Sequence, residues 1–129
     1  MDNYEKRLWI WGAIFIGSAV VFGAFGAHAI KQHVDETSLG WWQTGVAYQK
    51  THGLGLLALA ALWPRVSVTA HKHLTYIAQC FMWGGLFFSG SLYAMTLTQV
   101  RILGAITPLG GSLWIIAWGW LIVTIWRES

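Results

Sequence analysis

Charge is what this chain has least of. Only 10% of its 129 residues are charged, where a soluble domain carries about a quarter. The acidic residues, Asp2, Glu5, Asp35, Glu36 and Glu128, all lie outside the long apolar runs. No carboxylate pair is therefore available inside those runs for acid–base work or for holding hard cations, which argues against ion-pump and metal-transport chemistry. Cysteine is almost absent. Cys80 stands alone in an apolar run, so no intrachain disulfide can form and its thiol is expected to be inert. The basic residues are scattered singles and pairs rather than a stripe, which excludes a nucleic-acid surface. No strand is expected, so no glycine-rich phosphate loop can follow one. Ser89-Gly90-Ser91 has no partnering His and Asp and is not a nucleophile elbow. We expect no catalytic residue, no metal site, no cofactor and a non-enzymatic protein.

What remains is 56% hydrophobic and includes ten Trp, a residue that favours the headgroup interface. The length suits one domain, residues 1–129. Four apolar stretches, at about 8–30, 46–63, 74–98 and 108–126, predict an all-α integral membrane bundle of four transmembrane helices, each near the ~20 residues a span requires. The first stretch is longer than a signal-peptide core, so Ala27-His28-Ala29 reads as part of an uncleaved helix rather than a cleavage site. Asp35-Glu36-Thr37-Ser38 suits a helix cap, and Pro64 stops the second helix. Thr107 as N-cap with Pro108 in the first turn starts the fourth, leaving 102–106 as an interfacial or re-entrant connection. Trp9, Trp11, Trp41, Trp42, Trp63 and Trp126 read as interfacial anchors, and Trp83 and Trp114 as lipid-facing or packed in mid-span.

With four spans, Lys6, Arg7, Arg65, Lys72 and Arg127 share one side, and Lys31, Lys50 and Arg101 the other. The positive-inside rule then places both termini in the cytoplasm. The same topology gathers four clusters at one end: Gly23 to His28, Tyr48 to His52, Ser89 to Tyr93, and Thr107 to Gly111.

Two small-residue strips run along the first helix: Ala19, Gly23 and Ala27, and beside them Ala13, Gly17 and Ala24, ending at His28. Together they suggest close packing against two neighbours. Gly26, Gly85, Gly110 and Gly111 are further packing candidates. The arcs Tyr48, Gln49, His52, Gly55 and Gly85, Ser89, Tyr93, Thr96 should point inward, because lipid offers no hydrogen-bond partner. His28, His52, Tyr93 and Thr107 are then candidates to meet. A His28–His52 pair would bind a metal, relay a proton or contact a headgroup; alternatively the polar residues bond one another and fix helix register. Two histidines alone are too few for a closed metal site.

These clusters resemble the YgdD-like family, a domain-of-unknown-function family of small bacterial inner-membrane proteins with a eukaryotic transmembrane relative. The resemblance rests on Gly23-Ala24-Phe25-Gly26-Ala27-His28-Ala29, Tyr48-Gln49 with His52, Phe88-Ser89-Gly90-Ser91-Leu92-Tyr93, and Leu103-Gly104-Ala105-Ile106-Thr107-Pro108-Leu109-Gly110-Gly111. It runs from about Gly12 to Trp120 and implies a small four-helix protein of the bacterial inner (cytoplasmic) membrane, with no reaction attached. The expected role is a helix-packing protein among membrane lipids, as a homo-oligomer or an accessory subunit of a larger membrane complex. The alternative is a binding or conduction module whose His/Tyr pocket takes a lipid, quinone, proton or small solute.

Overall fold

The computed structural model describes residues 1–128. It contains four long helices: α1 (Asn3–Ile30), α2 (Glu36–Leu62), α3 (Val68–Thr98) and α4 (Thr107–Arg127). No strand occurs among the described residues. Sequence-local chemistry sets most of the helix ends. Asp2 caps α1, Asp35 accepts from the Ser38 N–H at 2.8 Å to cap α2, and Ser67 accepts from the Ala70 N–H to cap α3. The Ser38 hydrogen bonds hold the Asp35 carboxyl below its usual range. After α2 the chain tightens into a 3₁₀ turn, Trp63–Arg65, around Pro64.

α3 ends at Gln99, whose φ of 62° is left-handed. That conformation is uncommon for a residue with a side chain. Here the amide of the Gln99 side chain is engaged, donating to Thr96 O at 2.8 Å and Ser38 Oγ at 3.0 Å. The end of α3 is thereby tied to the start of α2.

A 3₁₀ segment, Arg101–Ala105, fills the connection to α4. Thr107 is the first residue of α4 rather than its cap, because its hydroxyl is committed sideways to Ser91 Oγ at 2.5 Å. Pro108 lies in the first turn as expected.

The helices pack in chain order, α1 on α2, α2 on α3 and α3 on α4. The core at the end that holds the chain termini combines Leu8, Leu56, Leu59, Leu74, Ile77 and Phe81 with Trp63 and Trp114. A smaller cluster, Ala19, Trp42 and Val46, lies toward the other end. Trp42 and Trp63 are thus buried, each indole filling space between helices.

Three segments are long and apolar enough to cross a membrane: Asn3–Ile30, Val68–Thr98 and Arg101–Arg127. α2 falls short on composition because Gln43, Thr44, Gln49, Lys50, Thr51 and His52 dilute its apolar content. Its 27 residues still extend roughly 40 Å, lengthwise against both α1 and α3.

Close approach of α3 and α4 depends on Gly84 and Gly110. A Cβ added at Gly110 would stand 2.6 Å from the Gly84 carbonyl and 2.8 Å from Phe88 Cβ. Gly110→Ala should therefore lower unfolding stability by about 1–3 kcal/mol through overpacking. Gly17→Ala, where an added Cβ meets nothing within 4 Å, should be neutral or stabilising by up to ~1 kcal/mol. Reversible unfolding in mixed micelles measures both, and equal stabilities for the two variants would contradict this packing.

Candidate functional site

The polar residues of α2 are arranged around two centres. The first begins in α1, where Phe22–Gly26 form a π-helical turn. The Ala27 N–H reaches back five residues to Phe22 O, and the Trp42 indole N–H donates to the same carbonyl at 2.9 Å. A Cβ at Gly26 would lie 2.9 Å from the Trp42 ring, and one at Gly23 would lie 3.0 Å from Val46. The glycine motif thus admits α2 side chains against a widened turn, a feature that recurs at functional sites.

About two turns further along α2, the Gln49 amide donates to Phe15 O at 3.0 Å and to Ser18 Oγ at 2.7 Å, while its carbonyl accepts from Tyr93 O–H at 2.7 Å. Ser18 in turn donates to Ile14 O. This network joins α1, α2 and α3. Beside it, Ser89 Oγ donates to Gly45 O at 2.7 Å, and a Cβ at Gly45 would meet the Tyr93 ring at 2.8 Å. Tyr93 also packs on Trp42 and Phe22, with ring centroids 4.6 and 5.3 Å apart.

The second centre is His52. Its imidazole stacks on Trp114, with centroids 3.6 Å apart and planes 5° apart, and meets the edge of Phe81. The Trp118 indole N–H donates to His52 Nε2 at 3.0 Å. An indole can only donate, so Nε2 carries no proton in this arrangement. Nδ1 then holds it and donates to Tyr48 O at 2.8 Å. Both ring nitrogens are engaged by the protein, which leaves no free lone pair for a metal. The half-exposed Tyr48 ring packs on Phe88 and Trp114.

The structure thus brings together Gln49, Ser89 and Tyr93, and separately joins Thr107 to Ser91. It does not bring His28 to His52. Gly26 lies against Trp42 in the antiparallel α1–α2 pair, so His28 stands about twelve residues, roughly 18 Å, along the axis from His52. His28 is also exposed. The π-turn and the lengthwise pairing of α1 with α2 separate residues that a count of apolar stretches places at one end.

Among the glycines, Gly85 lies against Phe15 and Gly111 against Phe88, whereas Gly17 meets nothing within the chain. Sequence reasoning missed Gly12, Gly45, Gly53 and Gly84, all closely packed, whereas Gly55 faces inward as expected, against Phe81. It also missed Ser18, Trp118 and the tie from Gln99 to the Ser38 hydroxyl. Ser18 carried a usable signal, as a lone hydroxyl inside an apolar run.

The tautomer of His52 is directly measurable. Imidazole ¹⁵N shifts in micelles at neutral pH should show Nδ1 protonated and Nε2 bare. Trp118→Phe, which removes the indole donor, should let the Nε2-protonated form appear. A wild-type protein with predominantly protonated Nε2 would contradict the arrangement.

The family model described as a protein of unknown function, DUF423, matches residues 22–111. A UPF0382 membrane protein of Staphylococcus saprophyticus is 42% identical over 114 residues, 88% of this chain and 92% of the relative. The UPF0382 membrane protein YwdK of Bacillus subtilis is 43% identical over 114 residues, 88% of this chain and 91% of the relative. The UPF0382 inner membrane protein YgdD of Escherichia coli K12 is 36% identical over 120 residues, 92% of this chain and 88% of the relative. No solved structure matches. The matched region runs from the π-turn of α1 to the glycine pair of α4 and takes in Trp42, Gln49, His52 and Tyr93, and the chain belongs to the DUF423 family of UPF0382 membrane proteins.

Proposed function

We propose that this is a four-span, non-enzymatic protein of the bacterial cytoplasmic membrane, with both termini in the cytoplasm, that acts through helix contacts as a homo-oligomer or as an accessory subunit of a membrane complex. The reading of α2 as a fourth span is supported by where its polar groups go. Trp42, Gln49 and His52 all bond to other helices, so lipid is not asked to solvate them. Lys50 is exposed on α2, and a lysine stem is long enough to carry its ammonium toward a headgroup interface. The name of the Escherichia coli relative places that protein in the inner membrane, which supports the same location here.

One observation carries the role. Of the two small-residue strips on α1, Ala19, Gly23 and Ala27 pack toward α2, while Ala13, Gly17, Ala24 and His28 are exposed. A Cβ at Gly17 would meet nothing within 4 Å. Small outward faces allow close helix approach in a membrane. The polar side chains, meanwhile, are spent on internal bonds rather than displayed for chemistry.

Native mass measurement from mild detergent should show at least two chains per particle or a stoichiometric second protein. Gly17→Leu should release the partner without lowering the unfolding stability of the single chain. A strictly monomeric particle with no copurifying protein would overturn the proposal.

A further inference from the structure

Between α1 and α3 lies a groove of about 570 Å³, lined by Trp11, Ile14, Met82, Trp83, Gly85 and Leu86, with Ser18, Gln49 and Tyr93 as its polar atoms deeper in. That volume is within the ~300–1,000 Å³ of small-molecule sites. The groove opens sideways, since Trp11, Ile14, Trp83 and Leu86 are each about half exposed. Its polar part is set at mid-membrane depth in a four-span chain: Ser18 is roughly 16 Å along α1 from Arg7.

We propose that this groove binds a chain-like alcohol from the surrounding bilayer, an apolar body carrying one hydroxyl. The direction of the hydrogen bonds at its polar end selects this chemistry. Both Gln49 amide hydrogens are used, on Phe15 O and Ser18 Oγ. The Tyr93 hydroxyl hydrogen goes to Gln49 Oε1 and the Ser18 hydrogen to Ile14 O. Every donor there is spent, while Tyr93 Oη, Gln49 Oε1 and Ser18 Oγ each retain a lone pair. That end of the groove therefore offers acceptors only. A hydroxyl meets it by donating inward. An ether, ester or quinone carbonyl has no hydrogen to give and leaves the inner acceptors empty. The neighbouring glycines keep the space open: a Cβ at Gly90 would meet only Leu86 Cδ1, at 3.8 Å.

The test uses a diazirine-bearing hexadecan-1-ol and its methyl ether as a matched pair, photolysed with the purified protein in phosphatidylcholine nanodiscs and mapped by peptide mass spectrometry. The alcohol should label segments 11–18 and 82–93 roughly fivefold more than the ether, the worth of one hydrogen bond. Gly90→Leu, which fills the groove, should suppress labelling by both. Gln49→Leu strips the Tyr93 hydroxyl of its acceptor and turns it into a free donor, so labelling by the ether should rise toward that by the alcohol. A merely structural role for Gln49 would not shift that ratio. Equal labelling by alcohol and ether in the wild type, an unchanged ratio in Gln49→Leu, or labels mapping elsewhere would each overturn the proposal.

Discussion

In hydrocarbon, every polar group must find its partner within the protein, and in the proposed four-span arrangement that requirement falls on α2. Gln49 meets it most completely: two donors and one acceptor are satisfied by α1 and α3 at once. An unpaired amide in an apolar medium costs several kcal/mol, so these bonds fix the rotation and depth of α2 between its neighbours. The positions of Trp42, Ser89 and His52 follow from that placement. The π-turn of α1 belongs to the same arrangement, since it presents the Phe22 carbonyl to the Trp42 indole.

Three of the five histidines pair with tryptophan. His52 stacks on Trp114 and accepts from Trp118, His71 stacks on Trp63, and His73 accepts from Trp120. Each indole supplies a flat apolar surface or a donor, and each imidazole supplies the acceptor or edge that complements it. Several of the tryptophans thus act as cross-links between helices, with interfacial anchoring left to exposed ones such as Trp126.

Composition and apolar run lengths were enough to read the all-helical architecture, the four motifs carried the family resemblance, and the cap at Asp35 and the stop at Pro64 were visible because they depend on neighbours in sequence. What escaped was set by contacts distant in sequence. Trp42 looked interfacial, because nothing local shows that Gly26 will open a slot for it. Thr107 looked like a cap until Ser91 claimed its hydroxyl. His28 and His52 looked like a pair because assigning clusters to one end of a bundle ignores axial depth along long helices. The π-turn was invisible too, since a pattern of 100° per residue assumes an unbroken α-helix. Gly12, Gly45, Gly53 and Gly84 were passed over because a glycine's packing role appears only with the ring or backbone that lies against it.

The account stands or falls on α2 crossing the membrane, since the bonding of Gln49 and His52 is the reason offered for burying so polar a helix. The direct measurement is labelling with a membrane-impermeant maleimide, in a Cys80→Ala background, of Gln32→Cys before α2 and Val68→Cys after it. Both positions are exposed. In intact spheroplasts the account predicts that Gln32→Cys reacts while Val68→Cys is protected until the membrane is opened. Reaction of both positions from the same side would show that α2 does not cross, and would contradict it.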